Sequence, residues 1–336
     1  MQSPAQATLA FWAWWNTEGA ASVVQAISSR DFSSVVDVIT DKVEAIHPDL
    51  AWELGPGSAA EHRITLSAGG VAELRPLTER WRRAAPGADS TWEFRAAREK
   101  QQEPPTGDLD LGGVRVSVDS TLFSIEEREG AFRLDIAVFN PAFPGMAERQ
   151  RMQFVFLLLD WLLGEDDVER WIGTIDAPAA PLAAGVPASA LVDQVGRLND
   201  RGKDPQWALL VSDEGSSEFP AVAMTRSPIR WVDHPLLDQH NSITVAYSDR
   251  TPAGLPGAEA LAELRRLEEE LETDLGGFGL LVAHETSNGS RVLHVYSDSE
   301  DQNATEAIER WVGGQPAARL KRSTDNSWLD IRHLTH

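Results

Sequence analysis

The chain of 336 residues contains no cysteine. Disulfides, thiolate nucleophiles and thiolate metal sites are therefore excluded. The absence agrees with a reducing compartment such as the cytoplasm. Lysine is scarce too: only four of the 30 basic side chains are lysines, an arginine bias that hints at a GC-rich bacterial genome. Long apolar runs are missing. The most apolar stretch, Phe154 to Leu163, contains Asp160 and is about half of the ~20 residues a membrane-spanning helix needs. It reads as a buried core helix. The opening MQSPAQATLAFWAWW has no basic n-region and no proper apolar core, so no signal peptide is expected. No Gly-x-Ser-x-Gly elbow, His-Glu-x-x-His pair, phosphate loop or dinucleotide fingerprint occurs. The Gly-Gly pairs at 69–70, 112–113, 276–277 and 313–314 read as turns and helix ends.

What is present is acid. The formal net charge is −22, from 52 acidic and 30 basic groups. Residues 1–178 carry 28 acidic and 16 basic side chains and residues 179–336 carry 24 and 14, so both halves are acidic. Such a field repels nucleic acid and anionic lipid and attracts basic surfaces; it also confers solubility. The length fits two domains, and a hydrophobic content of 42% can fill their cores.

Apolar periodicity predicts an α+β protein with mostly antiparallel sheets and helices on one face. Helical spacing runs from Phe11 to Ile46. Strands follow at 50–54 and 63–67, a helix carries Leu74, Leu77, Trp81 and Ala84 on one face, and 92–95 is again a strand. Residues 100–113 read as a polar loop. Alternating segments at 114–118, 122–123 and 134–138 lead into the apolar helix. The small, proline-rich stretch 177–189 reads as a linker, which divides the chain into an N-terminal α+β domain (1–176) and a C-terminal domain (190–336). In the latter, a strand at 243–247 is followed by a helix with a leucine stripe at 261, 264, 267, 271 and 275. A hairpin turns at Ser287-Asn288-Gly289. A helix at 305–312, a strand at 318–321 and a tail strand at 328–331 complete it. The order β-α-β-β-α-β is the split-βαβ or ferredoxin-like arrangement. Arg63-Ile64-Thr65-Leu66 before Glu79-Arg80-Trp81 rhymes with Arg291-Val292-Leu293-His294 before Glu309-Arg310-Trp311, which suggests duplication of a strand–helix–strand unit.

Several stretches resemble an uncharacterised bacterial domain family whose members are sometimes labelled levansucrase regulators. They are Ile64 to Glu99, Phe156 to Ile175, Leu267 to Asp298 and Asp325 to Leu334, with Leu159, Asp160, Leu163, Gly164 and Glu165 as the most specific pattern. The family is associated with the regulator of ribonuclease activity B. The resemblance implies a ferredoxin-like domain that binds and inhibits an enzyme, and it supplies no catalytic residues.

Three groups are candidates for chemistry or binding. Asp160, Glu165, Asp166, Asp167 and Glu169 could hold a hard cation or receive arginines of a basic partner. They also suit the start of a helix after Gly164. Trp12, Trp14 and Trp15 crowd one segment; such aromatics serve cores as well as interfaces, and because the group cannot all face inward from one helix, part of it could form a docking patch. His284 and His294 lie on strands that pair across a turn and could supply half a metal site, although ordinary sheet-face histidines are the favoured reading. No cofactor is expected. The leading expectation is a cytoplasmic, non-enzymatic regulator or inhibitor that binds a basic protein such as a nuclease. A metal-assisted hydrolase built on the cluster near Glu165 and a subunit of a larger assembly are the alternatives.

Overall fold

The computed structural model describes residues 2–103, 105–128, 130–212 and 219–334. The chain divides into two compact units, one comprising 1–129 with 133–199 and the other 200–336 with 130–132. The Ala/Pro stretch 177–189 lies inside the first unit, and the division falls near the end of the helix that follows it. Helices and mostly antiparallel sheets make both units α+β.

The first unit opens with α1 (Pro4–Trp14), whose start is fixed by a capping box: Gln6 N–H donates to Ser3 Oγ and Ser3 N–H to Gln6 Oε1. A π-helical turn (Trp15–Gly19) joins it to α2 (Ala20–Ser29), and α3 (Val36–Ile46) follows. The expected single helical stretch is thus three helices. Next come β1 (Ala51–Pro56), β2 (His62–Ser67), α4 (Arg75–Arg83) and β3 (Trp92–Arg95). β1 and β2 are antiparallel, and β2 and β3 are parallel. Phe11, Trp12 and Trp15 pack with Trp81, Trp92 and Phe94 into one core. At about 100° per residue, positions 11, 12 and 15 fall on one helix face, so most of the aromatic group does turn inward.

The unit continues with the hairpin β4 (Asp108–Leu111) and β5 (Val114–Ser117), and with β6 (Leu122–Arg128) and β7 (Arg133–Phe139). α5 (Glu148–Leu163), α6 (Glu165–Trp171), β8 (Ile172–Asp176) and α7 (Ala188–Arg201) follow. β7 pairs antiparallel with β6 and parallel with β8. The apolar run in α5 is buried through Phe154, Val155, Leu158 and Leu159, as its composition predicts. Among the described residues no helix is long and apolar enough to cross a membrane. Gly164 separates α5 from α6 with φ of 81°, and a Cβ there would lie 2.8 Å from the backbone N of Lys100. Only glycine lets segment 98–100 approach this corner so closely.

The second unit is built on six strands: β9 (Gln206–Val211), β10 (Val222–Ser227), β11 (Gln239–Ala246), β12 (Gly279–Ser287), β13 (Ser290–Ser297) and β14 (Ala318–Thr324). Their order is β14-β11-β13-β12-β10-β9, and all neighbours are antiparallel. α8 (Ala258–Leu275) and α9 (Gln302–Gly314) pack on one face through Leu264, Leu267, Leu271, Leu275, Ile308 and Trp311. The opposite face carries Tyr296, Val282 and Ala283 and is covered by Trp328, Ile331 and Leu334 of the C-terminal segment.

That segment is a 3-10 helix (Leu329–Leu334), not a tail strand. Asp325 caps it, accepting from Leu329 N–H at 2.7 Å and Asp330 N–H at 2.9 Å, and Trp328 takes a left-handed φ of 55° that ends extension. The two rhyming strand–helix–strand units also pair differently. β2 and β3 are direct parallel neighbours, whereas β11 lies between β13 and β14.

Candidate functional site

The sheet of the second unit runs on past α8 into β10 and β9, two strands that sequence patterning did not reveal. β9 is the edge strand. Along its outward positions Trp207 is 41%, Leu209 61% and Val211 62% exposed. An edge strand with three large apolar side chains in water is unusual, because such edges template further pairing and are ordinarily blunted. Beside it, between β10, β12 and α8, lies a cleft of about 510 Å³ lined by Trp207, Val222, Met224, Leu261, Leu281, His284 and Arg291 among others. Leu261 belongs to the leucine stripe of α8 and meets this cleft at the end of the stripe.

The polar floor of the cleft is built by register. The two-residue turn Asn288-Gly289 pairs Ser287 with Ser290, and the register running back from it places His284 opposite Leu293 and His294 opposite Ala283, ahead of a bulge between Ala283 and Leu281. Side chains alternate across a strand, so His284 faces α8 and His294 faces the other side of the sheet. The two histidines therefore do not converge, and the hairpin forms no half-site from them. Arg291 is buried; its Nη1 donates to Glu268 Oε1 at 2.7 Å and its Nε to Thr286 Oγ1 at 2.8 Å. The Glu268 carboxylate lies 3.8 Å from His284 Nε2. His284 Nδ1 is buried without a hydrogen-bond partner among the described residues. Burial, then the Arg291 charge, pushes the imidazole pKa down to about 3, so the ring is neutral at pH 7. The Arg226 guanidinium stands 5.1 Å over the Trp207 ring and also binds Glu272 of α8. α8 itself carries seven carboxylates (Glu259, Glu263, Glu268, Glu269, Glu270, Glu272 and Asp274) against Arg265 and Arg266. An apolar shelf beside an acidic helix suits a segment that is apolar on one side and basic on the other.

The acidic cluster of the first unit is occupied by arginines of that unit. Glu165 accepts from Ser67 Oγ at 2.5 Å, from the Arg98 backbone N–H at 3.1 Å and from Arg98 Nη1 at 3.1 Å. Asp166 takes both Nε and Nη2 of Arg75, at 3.1 and 3.0 Å. Asp167 pairs with Arg170. Glu165, Asp166 and Asp167 also form the first turn of α6, where carboxylates suit the helix dipole. Glu169 is exposed, and its backbone oxygen accepts from Arg133. The arginine partners 75 and 98 lie far away in sequence, so no local pattern announces them. Of the tryptophans, Trp12 and Trp15 are core residues, and Trp14 is half-buried with Lys42 Nζ 5.1 Å from its ring.

Asp160 lies 3.6 Å from Arg98, yet burial, then Glu165, raises its carboxyl to about 6 from an ordinary 3.8. A folded value above the unfolded one means that the unfolded chain gives up its proton first as pH rises. The resulting cost is absent below the unfolded value, grows between the two, and is complete above about pH 6. Asp160→Asn removes it while Arg98 keeps Glu53 and Glu165. The variant should be more stable than the parent by about 1–2 kcal/mol at pH 8 and no more stable at pH 4, measured by urea unfolding at both values.

Residues 220–330 match the model of a family of unknown function, DUF695. The match spans 111 of 336 residues, about one third of the chain, from β10 into the C-terminal 3-10 helix. It therefore includes His284, Arg291 and α8 but not β9. Comparison with curated proteins finds no match.

Proposed function

We propose that this chain is a non-enzymatic regulator or inhibitor that grips a basic protein, and that the groove between α8 and the β9 edge is its grip. The exposed Trp207–Leu209–Val211 row beside α8 carries the reading. Apolar area gives affinity, and the acidic helix, set in a chain of net charge −22, gives steering and selects a basic partner. The partner segment is amphipathic and arginine- or lysine-rich, lying along β9 or in the cleft. The β-α-β-β-α-β order with strand order β14-β11-β13-β12 supports a ferredoxin-like centre for the second unit. That agrees with the resemblance to the regulator of ribonuclease activity B, an inhibitor that works by contact. A cytoplasmic setting fits a chain without cysteine.

The test compares the parent with Leu209→Glu as baits in lysate of the source organism. Leu209 is exposed, so its exchange leaves the fold intact. The parent should retain a basic protein at low salt and release it at high salt, and Leu209→Glu should lose at least nine-tenths of it. Equal recovery by both baits, or recovery of acidic proteins only, overturns the proposal.

A further inference from the structure

On the sheet face opposite α8, four side chains form an unbroken chain of contacts. Asp330 Oδ2 is 2.9 Å from His240 Nδ1, His240 Nε2 is 3.0 Å from His294 Nδ1, and His294 Nε2 is 2.9 Å from Glu285 Oε1. The two imidazoles stack with centroids 5.2 Å apart, and both are buried. Register explains the meeting: on β11 and β13, His240 is opposite Tyr296 and Ser242 opposite His294, so the histidines are diagonal neighbours on one face.

The chain has a proton deficit. Ionised carboxylates only accept, so each end contact needs an N–H from its histidine. A neutral imidazole has one N–H and one lone pair. With His240 donating from Nδ1 and His294 from Nε2, the central contact brings two lone pairs together. Three contacts need three protons, and two neutral rings hold two.

The geometry points to a divalent first-row transition ion, zinc by ligand type, held by His240 Nδ1 with Asp330 and Asp325. One ligand atom from each of these three residues lies within 4.8 Å of the others. Ligands on tetrahedral zinc stand about 3.3 Å apart for metal–ligand bonds near 2.0–2.1 Å, so a closure of about 1.5 Å at most supplies three of the four ligands. The ion replaces the proton between His240 and Asp330. His240 then donates from Nε2 to His294, and His294 donates from Nε2 to Glu285. Every contact is satisfied with neutral rings, and a ligand histidine donating its second N–H into such a relay is the usual outer shell of a metal. Asp325 is already fixed, accepting from Tyr296 OH at 2.6 Å and from the Leu329 and Asp330 backbone N–H groups. Its Oδ1 retains a lone pair. The ion ties β11 to the C-terminal 3-10 helix and latches that helix over the sheet.

The experiment is titration of the full chain with Co²⁺ at pH 7.5, read by visible d–d absorption, followed by displacement with Zn²⁺. One Co²⁺ should bind per chain, and Zn²⁺ should displace it and raise the thermal midpoint. Asp330→Asn, at a half-exposed side chain that leaves the core untouched, should weaken binding at least tenfold and abolish the midpoint shift. His294→Gln should weaken it by roughly 10–100-fold, as outer-shell losses do. A parent that develops no cobalt absorption, or binding equal in Asp330→Asn, overturns the proposal. So do ring-nitrogen NMR signals of His240 and His294 that Zn²⁺ leaves unchanged, since a third proton alone then bridges the pair.

Discussion

Trp81→Ala is expected to destabilise the first unit by about 4 kcal/mol, the middle of the range for deleting a buried large aromatic side chain. Trp81 is fully buried. Its ring lies 4.6 Å from that of Trp12, 5.5 Å from Phe11 and 6.5 Å from Phe94, centroid to centroid. The loss therefore removes three aromatic contacts as well as apolar area, and the surrounding helices α1 and α4 cannot both close on the void. Trp81 Nε1 makes no hydrogen bond among the described residues. Trp81→Phe should consequently cost much less, about 1–2 kcal/mol, because only volume is lost. Urea unfolding followed by circular dichroism checks both. An alanine variant within about 1 kcal/mol of the parent would mean that the cluster repacks freely, against the close packing expected of interiors.

How far the sequence announces this molecule depends on whether the signal is local. The leucine stripe of α8, the hairpin at Ser287–Gly289 and the apolar run of α5 are local, and each is where periodicity places it. β9 escapes because Trp207, Leu209 and Val211 are exposed while Ala208 and Leu210 are partly buried. The alternation that marks a half-buried strand is inverted there, a conflict of the kind found at functional surfaces. The arginine partners of Glu165 and Asp166 stand 67 and 91 residues away, beyond any spacing rule. The histidines fail for a subtler reason. The two-residue turn pairs Ser287 with Ser290, which leaves His284 and His294 one residue out of register, and a step of one residue puts them on opposite faces. The relevant partner of His294 is His240, 54 residues earlier. Only the β11–β13 register could reveal it.

Arg291→Met is expected to lower the stability of the second unit by about 3 kcal/mol at pH 8, because it strands Glu268 in a largely buried position. Burial already raises the Glu268 carboxyl even with the guanidinium beside it, and without Arg291 it must rise further. A carboxyl whose folded value exceeds its unfolded one carries no penalty below the unfolded value, here near 4.5, and its full penalty above the folded one. His284 acts in the same direction. In the parent it stays neutral down to about pH 3, so the unfolded chain alone binds its proton below about 6.5, and acid destabilises the parent through it. Removing Arg291 relieves part of that depression, leaving burial as its main cause. The deficit of the variant relative to the parent should therefore shrink steadily from pH 8 to pH 5. A deficit that is constant with pH would show that lost packing, not the stranded charge, is responsible. Arg291→Met combined with Glu268→Leu should recover most of the loss, since an apolar pair commonly replaces a buried ion pair without cost. That double variant also separates stability from recognition. It keeps the fold and the Trp207–Leu209–Val211 row but removes the charged floor of the cleft. Partner capture that survives in it assigns recognition to the β9 edge, and capture that is lost assigns it to the floor beneath α8.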